Sequence, residues 1–195
     1  MTTLAEIEAA ARNVYAAMPP TPQYAWPLLA QRAGCAVWVK HENHTPTGAF
    51  KVRGGLNLLA CELARDPRFP GVISATRGNH GQSLAFAAQR HGVRCTIVVP
   101  KGNSRDKNAA MRAFGADLIE HGRDFDEARE HAGSLAAAKG LRFVGPFEPE
   151  LVAGVATYAL ELFRAVPDLD TVFVPIGCGS GICGLIAARD ALGLR

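Results

Sequence analysis

Lys51 stands between Phe50 and Val52 in the stretch HTPTGAFKVRGG, residues 44–55. Pro46 and Gly48 make a turn before it, and Val52, Leu56, Leu59 and Leu63 recur at helical spacing from there on. The lysine therefore falls in the first turn of a helix. An ammonium at that place opposes the positive end of the helix dipole, and apolar neighbours disfavour its charge. Both effects lower its pKa and make a neutral amine accessible, the nucleophile that Schiff-base chemistry with an aldehyde requires. The stretch is equally compatible with a lysine whose stem packs on the core while its head reaches water.

Two further stretches carry residue types that hold anions. SATRGNHGQS, residues 74–83, sets Gly78 and Gly81 around Asn79 and His80 after an apolar run. A turn of this kind exposes backbone N–H groups to a carboxylate or a phenolate oxygen. An ordinary strand-to-helix turn with Asn79 as N-cap is the alternative. PIGCGSGICG, residues 175–184, reads as strand, glycine-rich turn and helix, a cradle for a phosphate group. It also contains GSGICG, a literal GxGxxG, which raises a rival dinucleotide site. That fingerprint calls for an acidic residue about 20 positions on, at the end of a next strand. The sequence ends at Arg195 before any such strand, so a monophosphate site is the preferred reading.

The elements that must position these stretches alternate. A first helix runs through Leu4, Ile7, Ala11, Val14 and Met18, with Thr3 and Glu6 as a capping box, and Pro19, Pro20 and Pro22 follow it. Strands are expected at 36–42, 71–75, 94–100, 116–120, 141–145 and 171–176. Helices are expected after Lys51, through Leu84 and Ala88, around Met111 to Phe114, and from Phe125 to Gly140. Two more are expected through Val155 to Val166 and from Ile182 to Leu192. The strands are short continuous apolar runs, as in a parallel sheet buried on both faces, so the chain is α/β. Such sheets bind ligands at the carboxyl ends of their strands, where the chemistry-bearing stretches fall.

Composition narrows the function classes. The formal charge is only +3 and spread along the chain, which argues against an electrostatic nucleic-acid binder. No apolar run approaches the roughly 20 residues that cross a bilayer, and Glu6 and Glu8 are wrong for a signal peptide. Cys35, Cys61, Cys95, Cys178 and Cys183 show no zinc spacing and are odd in number, so no metal site is expected. They read as buried free thiols in a reducing cytoplasm.

PTGAFKVRG, then GNHGQ, then a glycine-rich loop after an apolar strand, in that order, resembles the fold type II pyridoxal-phosphate enzymes. The serine/threonine dehydratase and serine racemase branch is the nearer one, since the cysteine synthase branch typically reads GNTG where this chain reads GNHG. The resemblance implies a tryptophan synthase β-like fold with two lobes, each a mostly parallel sheet flanked by helices. Residues 1–71 and 146–195 would form a large lobe, and 72–145 an inserted small lobe, with pyridoxal 5'-phosphate in the cleft. It implies that Lys51 forms the Schiff base with the cofactor, Phe50 lies against its ring, and Asn79 hydrogen-bonds its phenolic oxygen. Backbone N–H groups of Gly177, Cys178, Gly179, Ser180 and Gly181 would hold the phosphate, and Thr76, Gly78, Asn79 and His80 the substrate's α-carboxylate. The implied activity is loss of water and then ammonia from threonine, serine or a 3-hydroxyaspartate-like amino acid, giving a 2-oxo acid. A homo-oligomer is implied as well.

Three departures qualify the resemblance. Arg77 stands where relatives carry Ser or Ala, removing the serine acid/base of the racemases. Its guanidinium could clamp a second carboxylate of an acidic substrate, or point outward to a surface acid. Cys178 and Ser180 replace glycines of the phosphate loop, which any position needing φ > 0 would penalise, and Ser180 could give its hydroxyl to the phosphate. Members of the family are also considerably longer. The chain is then a fragment or a natural truncation that lacks the C-terminal part of the large lobe, and 171–176 would form an open edge. A cofactor-binding form without turnover is the alternative to the enzyme, and a nicotinamide-dinucleotide domain a weaker third.

Overall fold

The computed structural model describes residues 2–194; Met1 and Arg195, the ends of the expected large lobe, lie outside them. At its centre is a four-stranded parallel sheet in the order β5-β4-β3-β6. Its strands are β3 (Gly71–Ala75), β4 (Arg94–Val99), β5 (Asp117–Glu120) and β6 (Arg142–Phe143). Helices α4 (Asn79–His91), α5 (Arg105–Ala113) and α6 (Phe125–Lys139) connect them. The period of two along the strands decides which helix covers which face. Val72, Cys95, Ile97 and Val99 pack with Leu84, Ala88 and Met111 of α4 and α5. Their neighbours Ile73, Ala75 and Val98 pack with Ala128, Ala132 and Ala136 of α6. Both faces are covered, which is why the strands read as unbroken apolar runs.

A layer of helices lies beside this sheet: α1 (Leu4–Tyr15), α3 (Lys51–Arg65), α7 (Pro149–Ala165) and α8 (Ser180–Ala191). The expected capping box closes α1, with Glu6 N–H donating to Thr3 Oγ1 and Thr3 N–H donating to the Glu6 carboxylate at 2.6 Å. Glycines let α3 approach two helices closely. A Cβ on Gly154 of α7 would lie 2.4 Å from the Arg53 carbonyl oxygen, and one on Gly55 would lie 2.8 Å from the Ser83 carbonyl oxygen of α4. Gly54 and Gly55 of α3 and Gly154 of α7 each disfavour their helix by roughly 1 kcal/mol relative to alanine. Close backbone packing against α4 and α7 offsets that.

Arg53 holds the layer together. Its side chain is fully buried. Nε and Nη2 donate to the two carboxylate oxygens of Glu42 at 2.8 and 2.9 Å, and Nη1 and Nη2 donate to Glu161 at 2.6 and 3.0 Å. The Thr157 hydroxyl accepts the remaining Nη1–H, and the Thr21 hydroxyl shares an Nη2–H at 3.2 Å. Lys40 lies 2.6 Å from the far oxygen of Glu161, so two cations face two anions. The pair of bidentate contacts ties α3 to α7 and to the segment before Lys51.

Several expectations need correction. The strand expected at 36–42 shortens to β2 (Trp38–Lys40), which pairs antiparallel with β1 (Gln23–Ala25), a strand the reading missed. Helix α2 (Pro27–Ala33) was also missed: it buries none of its residues, so no apolar stripe marks it. The strand expected at 171–176 does not form, and the helical layer holds no parallel sheet among the described residues. Val172 and Val174 pack on the α1–α7–α8 cluster while Phe173 is 95% exposed, so the alternation is present but no neighbouring strand takes up the backbone groups. All five cysteines are free, yet only Cys95 is buried; Cys35 and Cys178 are exposed. No helix among the described residues is long and apolar enough to cross a membrane.

Replacing Arg53 with Met leaves Glu42 and Glu161 short of their buried partner, so Arg53→Met is expected to destabilise the chain by about 3–5 kcal/mol in urea unfolding. Gly154→Ala, forced against the Arg53 carbonyl, is expected to lose about 1–3 kcal/mol in the same measurement.

Candidate active site

Three helices begin around one cavity. Lys51 opens α3, Asn79 opens α4 and Ser180 opens α8. The cavity has a volume of about 400 Å³, the size of a small-molecule site. Lys51, the β3–α4 loop from Thr76 to His80, Lys107 of α5, Phe125 of α6 and Cys178 before α8 line it. It lies at the carboxyl end of β3, where an α/β sheet leaves room for a ligand.

Lys51 is half-buried, and Nζ donates to Ser180 Oγ at 3.2 Å. Burial holds its pKa below the ordinary lysine value, offset in part by the neighbouring Cys178. The N-terminal end of α3 acts in the same direction as burial. Ser83 Oγ donates to the Lys51 carbonyl oxygen at 2.6 Å and fixes the backbone from the α4 side. Phe50 packs against Tyr158 with ring centroids 6.0 Å apart, and a Cβ on Gly181 would come 3.2 Å from the Phe50 ring.

The loop before α4 folds on itself: Gly78 N–H donates to Thr76 Oγ1 at 3.0 Å. Gly78, not Asn79, is the residue at the N-cap, so the amide of Asn79 is left on the cavity wall. Arg77 is exposed on the cavity rim. His80 is buried, and its Nε2 has no hydrogen-bond partner among the described residues. Its pKa is pushed down to about 4 by burial first and the Lys51 charge second, against a hydrogen bond with the Val144 backbone.

The loop before α8 answers the concern over Cys178 and Ser180. Among the described residues no side-chain-bearing residue has positive φ; Gly179, at φ 97°, takes the left-handed position itself. Ser180 is buried and accepts from Lys51, a contact the sequence did not foretell. Lys107, Phe125 and Pro146 are lining residues that sequence reasoning missed; they sit outside any motif and reach the cavity from α5, from α6 and from the segment between β6 and α7. Of the loop expected to hold phosphate, Cys178 lines the cavity, and Gly177, Gly179 and Gly181 lie beside it in sequence.

The chain matches the family described as pyridoxal-phosphate dependent enzyme over residues 14–194, and it belongs to that family. It is 38% identical over 193 residues to the L-threonine ammonia-lyase of Thermotoga maritima, covering 98% of this chain and 48% of that one. It is 40% identical over 173 residues to the biosynthetic L-threonine dehydratase of Salmonella typhimurium, covering 88% of this chain and 34% of that one. The crystal structure of a pyridoxal 5'-phosphate-dependent aspartate racemase superposes with a TM-score of 0.92 at 33% identity, over 97% of this chain and 59% of the other. The fold is therefore that of the fold type II, tryptophan synthase β-like enzymes, and the family's cofactor is pyridoxal phosphate. The chain spans between about a third and about half of the length of these curated relatives.

The residues lining the cavity fit that cofactor. A half-buried amine of lowered pKa suits an aldehyde, and the buried, unpartnered Nε2 of His80 marks a polar place in the cavity wall.

His80 stays neutral in the folded chain down to about 4, whereas its ordinary value is 6.5. Between those values the unfolded chain binds the extra proton, so stability falls as pH drops through the window. Unfolding free energies measured across it are expected to fall less steeply for His80→Gln than for the wild type.

Proposed function

We propose that this chain carries the cofactor-binding core of a pyridoxal-phosphate-dependent ammonia-lyase. Its substrate is a hydroxy amino acid such as threonine, serine or 3-hydroxyaspartate, and its products are a 2-oxo acid and ammonia. The single observation that carries the reading is Lys51 on the cavity, half-buried, with lowered pKa and hydrogen-bonded to Ser180 at the start of α8. The dehydratase and ammonia-lyase names of the relatives support the reaction class.

In this reading Lys51 would take the cofactor's aldehyde, Phe50 would lie against its ring and Asn79 would hydrogen-bond its phenolic oxygen. The N–H groups of Gly177, Cys178, Gly179, Ser180 and Gly181 would hold the phosphate at the positive end of α8. Thr76, Gly78, Asn79 and His80 receive the α-carboxylate. When bound, the cofactor supplies an electron sink for charge developing at Cα. With the cofactor bound, the Lys51 amine would be the base that takes the Cα proton, for which its lowered pKa suits it. His80, neutral by burial, adds no positive charge beside the Lys51 amine. The β-hydroxyl leaves as water; the released enamine tautomerises to an imine, whose hydrolysis consumes one water and releases ammonia. The net change is hydroxy amino acid to 2-oxo acid and ammonia.

Residues 1–71 and 146–195 form the large lobe and 72–145 the small one in this reading, with cleft closure over the substrate. The protein works in the cytoplasm as a homo-oligomer.

Borohydride reduction of the chain with pyridoxal phosphate, followed by peptide mass analysis, is expected to place the cofactor on Lys51, and Lys51→Ala to lose the label and the visible absorbance. Threonine or serine is expected to yield a 2-oxo acid. Label on another side chain defeats the assignment of Lys51. Label on Lys51 with no 2-oxo acid from any hydroxy amino acid leaves the cofactor-binding form without turnover.

A further inference from the structure

The charge of the cavity wall is one-sided. Lys51, Arg77 and Lys107 line it, and among the described residues no lining residue is acidic. Arg77 comes from the β3–α4 loop and Lys107 from α5, so two separate elements deliver cations to one rim. The Lys107 chain lies across the backbone of Gly78: a Cβ placed there would be 2.7 Å from its Cδ and 3.2 Å from its Nζ. Its ammonium thus sits beside the peptide that follows Arg77.

Neither cation has a carboxylate partner, and neither side chain donates a hydrogen bond, among the described residues. Elsewhere in the same sheet region Arg112 has Glu120, Arg129 has Asp126 and Arg142 has Glu148 at 2.7 Å, while Arg90, Arg94 and Arg105 have no acid among the described residues; what sets Arg77 and Lys107 apart is that both line the cavity. Two cations brought to a cavity and left without acids are in excess for a monocarboxylic substrate. The α-carboxylate would go to Thr76, Gly78, Asn79 and His80, and Lys51 to the aldehyde.

We propose that Arg77 and Lys107 form a subsite for a second carboxylate, so that the site prefers a dicarboxylic amino acid, with 3-hydroxyaspartate as its reactive form. The proposal rests on the dehydratase reading for the β-hydroxyl alone; the carboxylate subsite stands on the rim itself. A planar guanidinium grips a carboxylate through two parallel hydrogen bonds, and the lysine adds a second, point-like charge. Threonine and serine would leave both cations unmatched.

Isothermal titration of the wild-type chain, loaded with pyridoxal phosphate, with L-aspartate and with L-alanine tests the subsite without turnover. Charge-assisted hydrogen bonds of this kind predict aspartate binding at least about tenfold tighter than alanine. That ratio is expected to fall to about threefold or less in Arg77→Ala and in Lys107→Ala, to survive in part in Arg77→Lys, and to shrink with added salt. Equal affinities in the wild type, binding of neither ligand, or a ratio that persists in both alanine variants overturns the subsite. 2-Oxo acid release from 3-hydroxyaspartate and threonine is then compared. Release from threonine in preference also overturns the proposal, whereas release from neither defeats the dehydratase reading and leaves the aspartate-to-alanine ratio to decide the subsite.

Discussion

The buried guanidinium of Arg53 is the contact on which the placement of Lys51 depends. A charge cannot be taken from water into a helix layer unless it is matched and hydrogen-bonded on every side. Glu42 and Glu161 do this from opposite directions, one from the turn before α3 and the other from α7. Lys40 completes the balance. The requirement that all four charges meet fixes α3 along its axis and in rotation. Lys51, half a turn upstream of Arg53 on the same helix, inherits that position.

The electrostatics of the cavity follow from the same geometry. Three helix starts converge there, so the local field favours anions and disfavours an ammonium. Burial works on Lys51 and His80 in the same sense, depressing the protonated form of each. A wall that lowers the pKa of Lys51 and His80 while three helix starts face it suits anionic groups bound beside an amine. Ser180 joins the halves of this arrangement, since its hydroxyl belongs to α8 and its partner to α3.

The parallel sheet was legible in the sequence because its strands are buried on both faces and leave continuous apolar runs between glycine stops. β3 was read to the residue and β4 nearly so. The small antiparallel pair β1–β2 and the exposed helix α2 were not legible, because half-exposed elements bury too little to imprint a period. Residues 171–176 show the converse failure. Their alternation is that of a strand, but a strand exists only where another chain segment accepts its hydrogen bonds, and no local pattern can say whether one is near.

For the site, the sequence alone determined that one lysine begins a helix beside a turn, that an Asn-His pair follows a buried strand, and that a glycine-rich loop precedes a last helix. Those are local facts, set by turn chemistry and by the energetics of helix ends. Only the tertiary structure decided that Ser180 reaches Lys51, that His80 is sealed from water with Nε2 unpaired, and that Lys107 joins Arg77 on one rim. The physical reason is that burial, and contact between residues far apart in sequence, are products of packing. They depend on which helix faces close against each other, and that choice is made by the whole set of apolar and charged contacts at once.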